Sequence, residues 1–227
     1  MSRSRSPPAP RDPKPAAFLV FHGSFNPLHL GHVETMRQAF LTLEAEGYHV
    51  IRGVVAMADT EYVKRKKDRC LKDVHRIQAL LRGFQDLTWV QVNTQYPRFR
   101  SGRHMRGQLW TEFVRELSQP PGEMAVFCVC GDDVVVLYET VDDWSIVAGR
   151  SGVPARIDEI IQKKQSESRG HGKIMRATLH DEYGGMSSTK VREALNARSK
   201  EVLHQMCSAD VASYLWDISV TELYDNS

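Results

Sequence analysis

Two histidines flank a glycine in the segment GSFNPLHLGH, residues 23–32. His29 and His32 are three residues apart, so at the start of a helix both imidazoles can lie on one face. The N-terminus of such a helix adds free N–H groups and a partial positive charge. Gly23 lets the backbone turn sharply and approach a phosphate closely. The segment therefore predicts a polyphosphate site rather than two histidines that merely cap or pack.

A second segment with candidate chemistry is MSSTKVR, residues 186–192. Ser187 or Ser188 is a good helix N-cap, and Lys190 and Arg192 follow within the first turns. Taken alone, this pattern is more typical of a capped surface helix. Cations are nevertheless unfavourable at a helix N-terminus, and a bound anion there would resolve the conflict.

The elements that must position these residues alternate between strands and helices. We expect strands at 17–23, 48–57, 88–92, 125–130, 145–149 and 173–179, and helices at 31–46, 74–81, 108–118 and from 188 onward. This order predicts an α/β fold, a doubly wound parallel sheet with a C-terminal helical segment. Ligands of such sheets bind at the carboxyl ends of the strands. Residues 96–107 and 162–173 are expected to form loops.

The composition narrows the classes of function. The 227 residues suffice for one sizeable α/β domain or two small ones. A net charge of +2 is too small for a general nucleic-acid binder, and no apolar run is long enough to span a membrane. The four cysteines include no C-x-x-C pair, which argues against a zinc site. Cys128 and Cys130 share one face of a predicted strand, which suits buried thiols in a reducing compartment.

The N-terminal residues have a different composition from the rest. Residues 1–16 include five prolines and are expected to be a disordered tail, with 17–227 forming a single domain. The tail lacks the apolar stretch of a secretory signal. The expected location is therefore cytoplasmic or nuclear, and the Arg/Ser-rich tail leaves an organelle transit peptide open.

The two motifs together closely resemble those of the nucleotidyltransferases with a (T/H)-x-G-H signature and a C-terminal I-S-S-T-x-x-R signature. Within that superfamily, GSFNP resembles the form found in the nicotinamide and nicotinate mononucleotide adenylyltransferases. The resemblance spans residues 17 to about 224. Its further landmarks are Tyr62 with Lys64, Lys66 and Lys67, His75 with Arg76, WVQVNT (89–94), CGDDVV (130–135), Trp144 and MCSADVASYL (206–215).

The resemblance implies a Rossmann-like nucleotidyltransferase that joins ATP to nicotinamide or nicotinate mononucleotide, giving NAD or its deamido form and pyrophosphate. In this reaction the mononucleotide phosphate attacks the α-phosphorus, so catalysis is positioning and electrostatic stabilisation. Mg²⁺ is expected to bind mainly through ATP phosphates and water, with no protein metal site, because no convincing carboxylate cluster is present. ATP and the mononucleotide are the expected partners, without nucleic acid or membrane, and a homo-oligomer stays open.

The resemblance also implies roles for individual residues. His32 and His29 are expected at the α-phosphate and Arg192 at the β- and γ-phosphates, and these three form the catalytic set. The implied ATP-binding residues are Gly23, Ser24, Phe25, Gly31, His32, Gly131, Asp133, Ser187, Ser188, Thr189 and Arg192. The implied mononucleotide-binding residues are Ser24, Phe25, Lys64, Lys67, Trp89, Thr94 and Trp144.

Several of these assignments have a second interpretation. For the mononucleotide phosphate, counting from Tyr62 favours Lys64, whereas counting back from His75 favours Lys67. Trp89 lies in a predicted strand, where tryptophans usually belong to the core. Asp133, implied to bind the ribose, could instead be the N-cap of the following helix.

The chain departs from the family pattern in two places. Residues 145–149 alone separate Trp144 from Arg150, where relatives usually have a helix-length connection. Asp132 stands where G-A-D has a small residue. The alternatives within the enzyme class are a pantetheine-phosphate adenylyltransferase or a cytidylyltransferase, and the alternative outside it is a non-catalytic nucleotide-binding protein. The sequence favours nicotinamide and nicotinate mononucleotide equally.

Overall fold

The strands form one parallel sheet in the computed structural model, which describes residues 14–66, 69–94, 124–138, 144–150, 155–168 and 172–224. They are β1 (Ala16–Gly23), β2 (His49–Met57), β3 (Val90–Asn93), β4 (Ala125–Gly131), β5 (Trp144–Arg150) and β6 (Lys173–Leu179). Their order across the sheet is β3-β2-β1-β4-β5-β6. The order reverses between β1 and β4, so the predicted doubly wound fold is confirmed. Sheets of this kind bind ligands at the carboxyl ends of the strands beside such a reversal.

Helices lie on both faces of this sheet. They are α1 (Leu30–Ala45), α2 (Thr60–Lys66), α3 (Asp73–Gly83), α4 (Asp132–Tyr138), α5 (Ala155–Glu167), a 3-10 turn (Asp181–Tyr183), α6 (Ser188–Asn196), α7 (Lys200–Met206), α8 (Ala209–Asp217) and α9 (Val220–Leu223). Helices α6 to α9 form the expected C-terminal helical segment. No helix in the described part of the chain has the length and hydropathy to cross a membrane.

The apolar run of β1 is buried on both faces, as its sequence predicted. Leu19 and Phe21 join the large core cluster, which also includes residues of α1, α3 and the C-terminal helices. Phe18 and Val20 point to the opposite face. On that face, α4 and α5 pack over β5 and β6 through Val135, Val147, Ile157, Ile161 and Ile174. Two-sided burial keeps the carboxyl end of β1 fixed in the middle of the sheet.

One local prediction is corrected, and two others fall on residues that the structure does not describe. Residues 162–173 are not a loop throughout, because α5 extends to Glu167: Ile157 and Ile161 hold one face of α5 on the sheet while its polar face stays in solvent. The lysine-rich segment after Asp59 forms the short helix α2, an element that sequence analysis did not expect. The predicted loop 96–107 and helix 108–118 lie outside the described residues.

Residues 14–16, which sequence analysis assigned to the N-terminal tail, take part in the fold. β1 begins at Ala16, the Pro15 carbonyl accepts a hydrogen bond from the His49 N–H at 2.9 Å, and Lys14 Nζ lies 3.0 Å from Glu44 Oε2. Residues 14–16 therefore belong to the fold, because pairing beside β2 satisfies their backbone. Residues 1–13 lie outside the described part of the chain.

Candidate active site

The turn after β1 has an unusual backbone conformation. Phe25 adopts φ 40°, a left-handed conformation that is uncommon for a bulky residue and costs on the order of 1–3 kcal/mol. Its ring is buried, packs edge-on to Phe21 at 5.1 Å, and covers Gly23, where a Cβ would come within 3.0 Å of the ring. Glycine at position 23 and the surrounding core thus allow the turn that sequence analysis predicted.

A fully buried guanidinium supports this turn from below. Arg76 of α3 is 0% exposed and donates to the Ser24 carbonyl from Nε at 3.1 Å and from Nη2 at 2.7 Å. Nη2 also donates to the Ala58 carbonyl at 2.7 Å, and Nη1 donates to Asp73 Oδ1 at 2.9 Å. Arg76 therefore ties the ends of β1 and β2 to α3.

The two imidazoles of the first motif lie together, as their spacing predicted. His29 is the N-cap of α1, and its ring is 3.7 Å from the His32 ring, tilted by 31°. The His29 backbone N–H donates to His32 Nδ1 at 3.3 Å. Because Nδ1 is the acceptor, the proton of neutral His32 resides on Nε2. His32 can therefore donate a hydrogen bond from Nε2 to a ligand.

Burial keeps both rings neutral in the absence of a ligand. Desolvation lowers the pKa of His29 from 6.5 to about 4. Desolvation also lowers the pKa of His32 well below 6.5, with repulsion from His29 as a second cause. His29 Nδ1 is buried and has no hydrogen-bond partner among the described residues. A bound anion would offset both penalties, because it interacts favourably with the protonated ring.

The second motif docks directly onto the first. Ser188 Oγ donates to the Pro27 carbonyl at 2.8 Å, and Arg192 Nη1 donates to the Asn26 carbonyl at 2.7 Å. Pro27 is only two residues from His29, at most about 7 Å along the chain. The N-terminus of α6 therefore lies beside that of α1, and two partial positive charges converge on one region.

The other residues of the second motif stabilise this helix end. The Ser187 side chain accepts from the Lys190 backbone N–H at 3.2 Å as the N-cap. Arg192 Nη2 donates to Thr189 Oγ1 at 3.1 Å, and Lys190 Nζ donates to the Gly185 carbonyl at 2.6 Å. These carbonyl and hydroxyl contacts help the two cations remain at a helix N-terminus.

Asn26 connects the turn to the segment before α3. Its Nδ2 donates to the Arg69 carbonyl at 2.9 Å, and its Oδ1 accepts from the Leu71 N–H at 2.8 Å. The side chain is 2% exposed, and the Asn26–Pro27 peptide bond is cis. Leu71 pairs in turn with Tyr224 near the C-terminus, so the C-terminal segment also helps to hold the turn.

The predicted ribose-binding residues lie at the carboxyl end of β4. The Asp133 carboxylate turns back over Gly131, where a Cβ would come within 2.5 Å of its Oδ1. The Asp132 carboxylate packs against Gly149 of β5 instead, with a corresponding distance of 2.6 Å. Asp133 is exposed and lies at the sheet edge where ligands bind, whereas Asp132 is directed at the neighbouring strand.

Two of the predicted mononucleotide-binding residues reach the same edge of the sheet. Lys64 lies on α2, which follows the carboxyl end of β2, and its Nζ is 3.6 Å from Glu61 Oε1. Thr94 directly follows β3 and is exposed. Lys67 lies outside the described residues, so the structure leaves the choice between the two lysines as sequence analysis left it.

The two tryptophans lie at the opposite end of the sheet. Trp89 precedes β3, its carbonyl accepts from the Gly53 N–H at 2.9 Å, and its ring packs on Phe40 at 4.6 Å. Gly53 pairs with Leu19, four residues before the end of β1, so Trp89 is about 13 Å from the carboxyl edge. The core interpretation of Trp89 therefore fits its position, and the structure does not bring it to the histidines.

Trp144 also lies away from the carboxyl edge of the sheet, because it begins its strand. It is the first residue of β5 and packs edge-on to Phe127 at 5.2 Å. Residues Trp144–Arg150 form a strand, so the helix-length connection usual in relatives does not follow this tryptophan. Trp144 therefore starts its strand at the amino end of the parallel sheet, away from the ligand edge.

Sequence reasoning assigned no role to Arg76 or Asn26. Arg76 shares one face of α3 with Ala79 and Leu80, three and four residues further on, and all three are buried. A charged residue on the apolar face of a helix was the signal that could have identified Arg76. Asn26 carried no comparable signal, because its partners are backbone groups 43 and 45 residues away.

Comparisons with known proteins agree with this architecture. The model of the Cytidylyltransferase-like family matches residues 20–194, a range that includes both motifs. None of the curated proteins matches the chain. Two structures of Plasmodium falciparum nicotinic acid mononucleotide adenylyltransferase, complexed with APC and with NaAD, are 14% identical to the chain with TM-scores of 0.56 and 0.59. The matches cover 90% of this chain and 98% and 99% of those chains, and at this identity they establish similarity of fold.

Proposed function

Because the chain belongs to the cytidylyltransferase-like family and is a nucleotidyltransferase, we propose that it transfers the adenylyl group of ATP to nicotinamide or nicotinate mononucleotide. The products are NAD, or its deamido form, and pyrophosphate. One observation carries the proposal: Ser188 and Arg192 dock onto the Pro27 and Asn26 carbonyls beside the stacked histidines. Cationic and N–H donors that converge in this way suit the phosphates of a nucleoside triphosphate.

The acceptor is proposed from the first motif. The GSFNP form of the turn resembles that of the pyridine mononucleotide adenylyltransferases, and the two similar solved structures are of a nicotinic acid mononucleotide adenylyltransferase. The switch in strand order offers two halves of one crevice. In our proposal the adenosine lies over β4, near Asp133, and the mononucleotide lies over β2 and β3, near Lys64 and Thr94.

The chemistry is a direct transfer between the two bound nucleotides. A phosphate oxygen of the mononucleotide bonds to the α-phosphorus of ATP as the bond to the bridging oxygen of the pyrophosphate breaks. His32 donates its Nε2–H to an α-phosphate oxygen, and His29 stacks against it. The negative charge of ATP raises the pKa of both imidazoles when it binds, so charge on the ring can match charge on the phosphate. Such a donor typically contributes on the order of 10²–10³-fold in rate.

Arg192 and the N-terminus of α6 act on the leaving group. The guanidinium is oriented by the Asn26 carbonyl and by Thr189 Oγ1, and the N-terminal N–H groups of α6 face the same region as those of α1. They stabilise the charge that collects on the β- and γ-phosphates.

We propose that Mg²⁺ enters with ATP. No group of three or more His, Cys, Asp or Glu side chains within the described ranges could hold a metal ion. Phosphate oxygens and water, which Mg²⁺ prefers to a cage of protein ligands, can therefore supply most of its coordination. When bound, the ion neutralises the developing pyrophosphate.

A single assay decides between this function and its alternatives. The purified full-length chain is incubated with Mg²⁺, ATP or CTP, and one acceptor at a time: nicotinamide mononucleotide, nicotinate mononucleotide or 4′-phosphopantetheine. Product and pyrophosphate are quantified by chromatography. The His204→Ala variant, altered at an exposed residue of α7, serves as a control that should retain full activity.

The proposal predicts product with ATP and a pyridine mononucleotide, together with one equivalent of pyrophosphate. If 4′-phosphopantetheine is the only acceptor that gives product, the proposed acceptor is wrong. If CTP gives product and ATP does not, the proposed donor is wrong. Either result would keep the enzyme class. ATP binding without product from any acceptor would support a non-catalytic nucleotide-binding protein.

A further inference from the structure

We propose that Arg76 is a positioning residue, which turns the Ser24–Phe25 peptide so that the Phe25 N–H faces a phosphate oxygen of the bound nucleotide. This inference rests on the proposed function only in requiring a phosphate in front of the turn. Arg76 itself is fully buried between the turn and α3. It therefore acts on a ligand only through the backbone of the turn.

The contacts of Arg76 converge on one peptide group. Both Nε, at 3.1 Å, and Nη2, at 2.7 Å, donate to the Ser24 carbonyl oxygen. Two donors from one planar fork define the direction of this carbonyl better than a single contact would. The Ser24 carbonyl therefore points down into the protein, towards α3.

The geometry of the peptide bond determines where the next N–H points. The Ser24–Phe25 bond is trans, and in a planar trans peptide the C=O and N–H groups point in opposite directions. The Phe25 N–H is thus directed away from the buried guanidinium, towards the sheet edge. It has no hydrogen-bond acceptor among the described residues, as expected of a donor kept available for a ligand.

The rest of the Arg76 side chain secures this orientation. Nη2 also donates to the Ala58 carbonyl at 2.7 Å, and the Ala58 N–H donates to the Gly23 carbonyl at 2.8 Å. Nη1 donates to Asp73 Oδ1 at 2.9 Å and to Thr60 Oγ1 at 3.3 Å. The fork therefore couples the turn to β2, α2 and α3 at once.

A lysine at position 76 would keep the charge but not this geometry. Its ammonium is a compact point charge, whereas the guanidinium presents donors in a fixed plane to several acceptors. Arg76→Lys is therefore expected to leave the cation in place and to loosen the Ser24 carbonyl. The Phe25 N–H then loses its direction although every ligand-contacting side chain is intact.

The first experiment follows the Phe25 amide directly in the wild-type protein. The chain has 8 phenylalanines, so selective ¹⁵N labelling gives few amide peaks, and Phe25→Tyr identifies the peak of interest. On titration with ATP and Mg²⁺ we expect this peak to move downfield, as an amide does when it donates to a phosphate. In Arg76→Lys the shift at saturating ATP should be less than half as large. A wild-type peak that does not move at saturation would overturn the proposal, whether or not any variant folds.

The second experiment separates positioning from loss of stability. The matched control is Leu80→Ala, one turn further along α3, which removes packing without touching the Ser24 carbonyl. After correction for the folded fraction, we expect Arg76→Lys to lower kcat at least tenfold with the KM for ATP changed less than threefold. Leu80→Ala should keep kcat within twofold.

Equal kcat losses in Arg76→Lys and Leu80→Ala would show a merely structural role and overturn the proposal. Failure of the proposed function has a different signature. The wild type would then make no dinucleotide from a pyridine mononucleotide, while the shift of the Phe25 amide with ATP would still report on Arg76.

Discussion

Lowering the pH from 7.5 to 5.5 should destabilise this protein through its buried histidines. Desolvation lowers the pKa of His22 and of His29 from 6.5 to about 4, and at His22 the charge of Arg76 is a second cause. A histidine of the unfolded chain takes up a proton near pH 6.5, whereas these two in the folded protein do so only near pH 4. The unfolded state therefore binds more protons between these values, and stability falls as the pH falls through that window.

The magnitude follows from the two pKa values. For one histidine that titrates at 6.5 when unfolded and about 4 when folded, the change from pH 7.5 to 5.5 costs about 1.3 kcal/mol. His22 and His29 together cost about 2.7 kcal/mol by the same reasoning, and His32, whose pKa is also lowered, adds to the loss. Glu44, a carboxyl whose pKa lies below 4.5, does not titrate in this range. For a domain of marginal stability, this is a large fraction of the total.

The assay is urea unfolding at both pH values, followed by circular dichroism. His22→Gln should reduce the pH-dependent loss by about 1.3 kcal/mol, whatever its effect on stability at pH 7.5. His204→Gln, at an exposed position, should leave the loss unchanged. If wild type and His22→Gln lose the same free energy of unfolding, the buried histidine does not carry the effect and this reasoning is wrong.

Three substitutions test the site assignments. His32→Ala should lower kcat by at least about 10²-fold while ATP affinity stays within a few-fold, and an unchanged kcat would exclude a role for His32 in the transition state. Arg192→Ala should raise the KM for ATP and lower kcat, because the guanidinium is proposed to bind the β- and γ-phosphates, and normal ATP kinetics would remove Arg192 from the site. Trp89→Ala should lower the free energy of unfolding by about 2 kcal/mol, because its ring is only partly buried against the core, and should leave the affinity for the mononucleotide nearly unchanged. A stable Trp89→Ala variant that selectively loses mononucleotide affinity would restore the ligand role of this tryptophan.

Local patterns in the sequence were sufficient to predict the architecture and to identify the two motifs of the candidate site. The run of β1 is apolar at consecutive positions and ends in a glycine, which is typical of a strand buried on both faces. The helical spacing after it ends at Gly47, and the structure has this residue at φ +87°, a conformation that glycine adopts without strain. His29 and His32 lie on one helix face because residues three apart do so in any helix. Each of these inferences depends on neighbours within a turn or two of the chain.

The position of a residue relative to the sheet edges depended on the tertiary structure. Trp89 and Trp144 were assigned to the ligand because they match landmarks of the family, yet both lie at the amino ends of their strands. All strands run parallel, so an offset of a few residues along a strand separates the core from the crevice by more than 10 Å. A match to a family motif does not by itself tell how far along its strand a residue lies.

The contacts that shape the turn were likewise decided only by tertiary structure. Arg76 reaches the Ser24 carbonyl across 52 residues of sequence, and Asn26 reaches the backbone of Leu71 across 45. Their partners are backbone carbonyl and N–H groups, which all residue types except proline share and which therefore leave no trace in the amino-acid sequence. The sequence by itself identified His29, His32, Ser188 and Arg192 as candidates for a phosphate site. Only the folded chain showed which buried groups hold the backbone of the turn in place, because burial makes those distant hydrogen bonds obligatory.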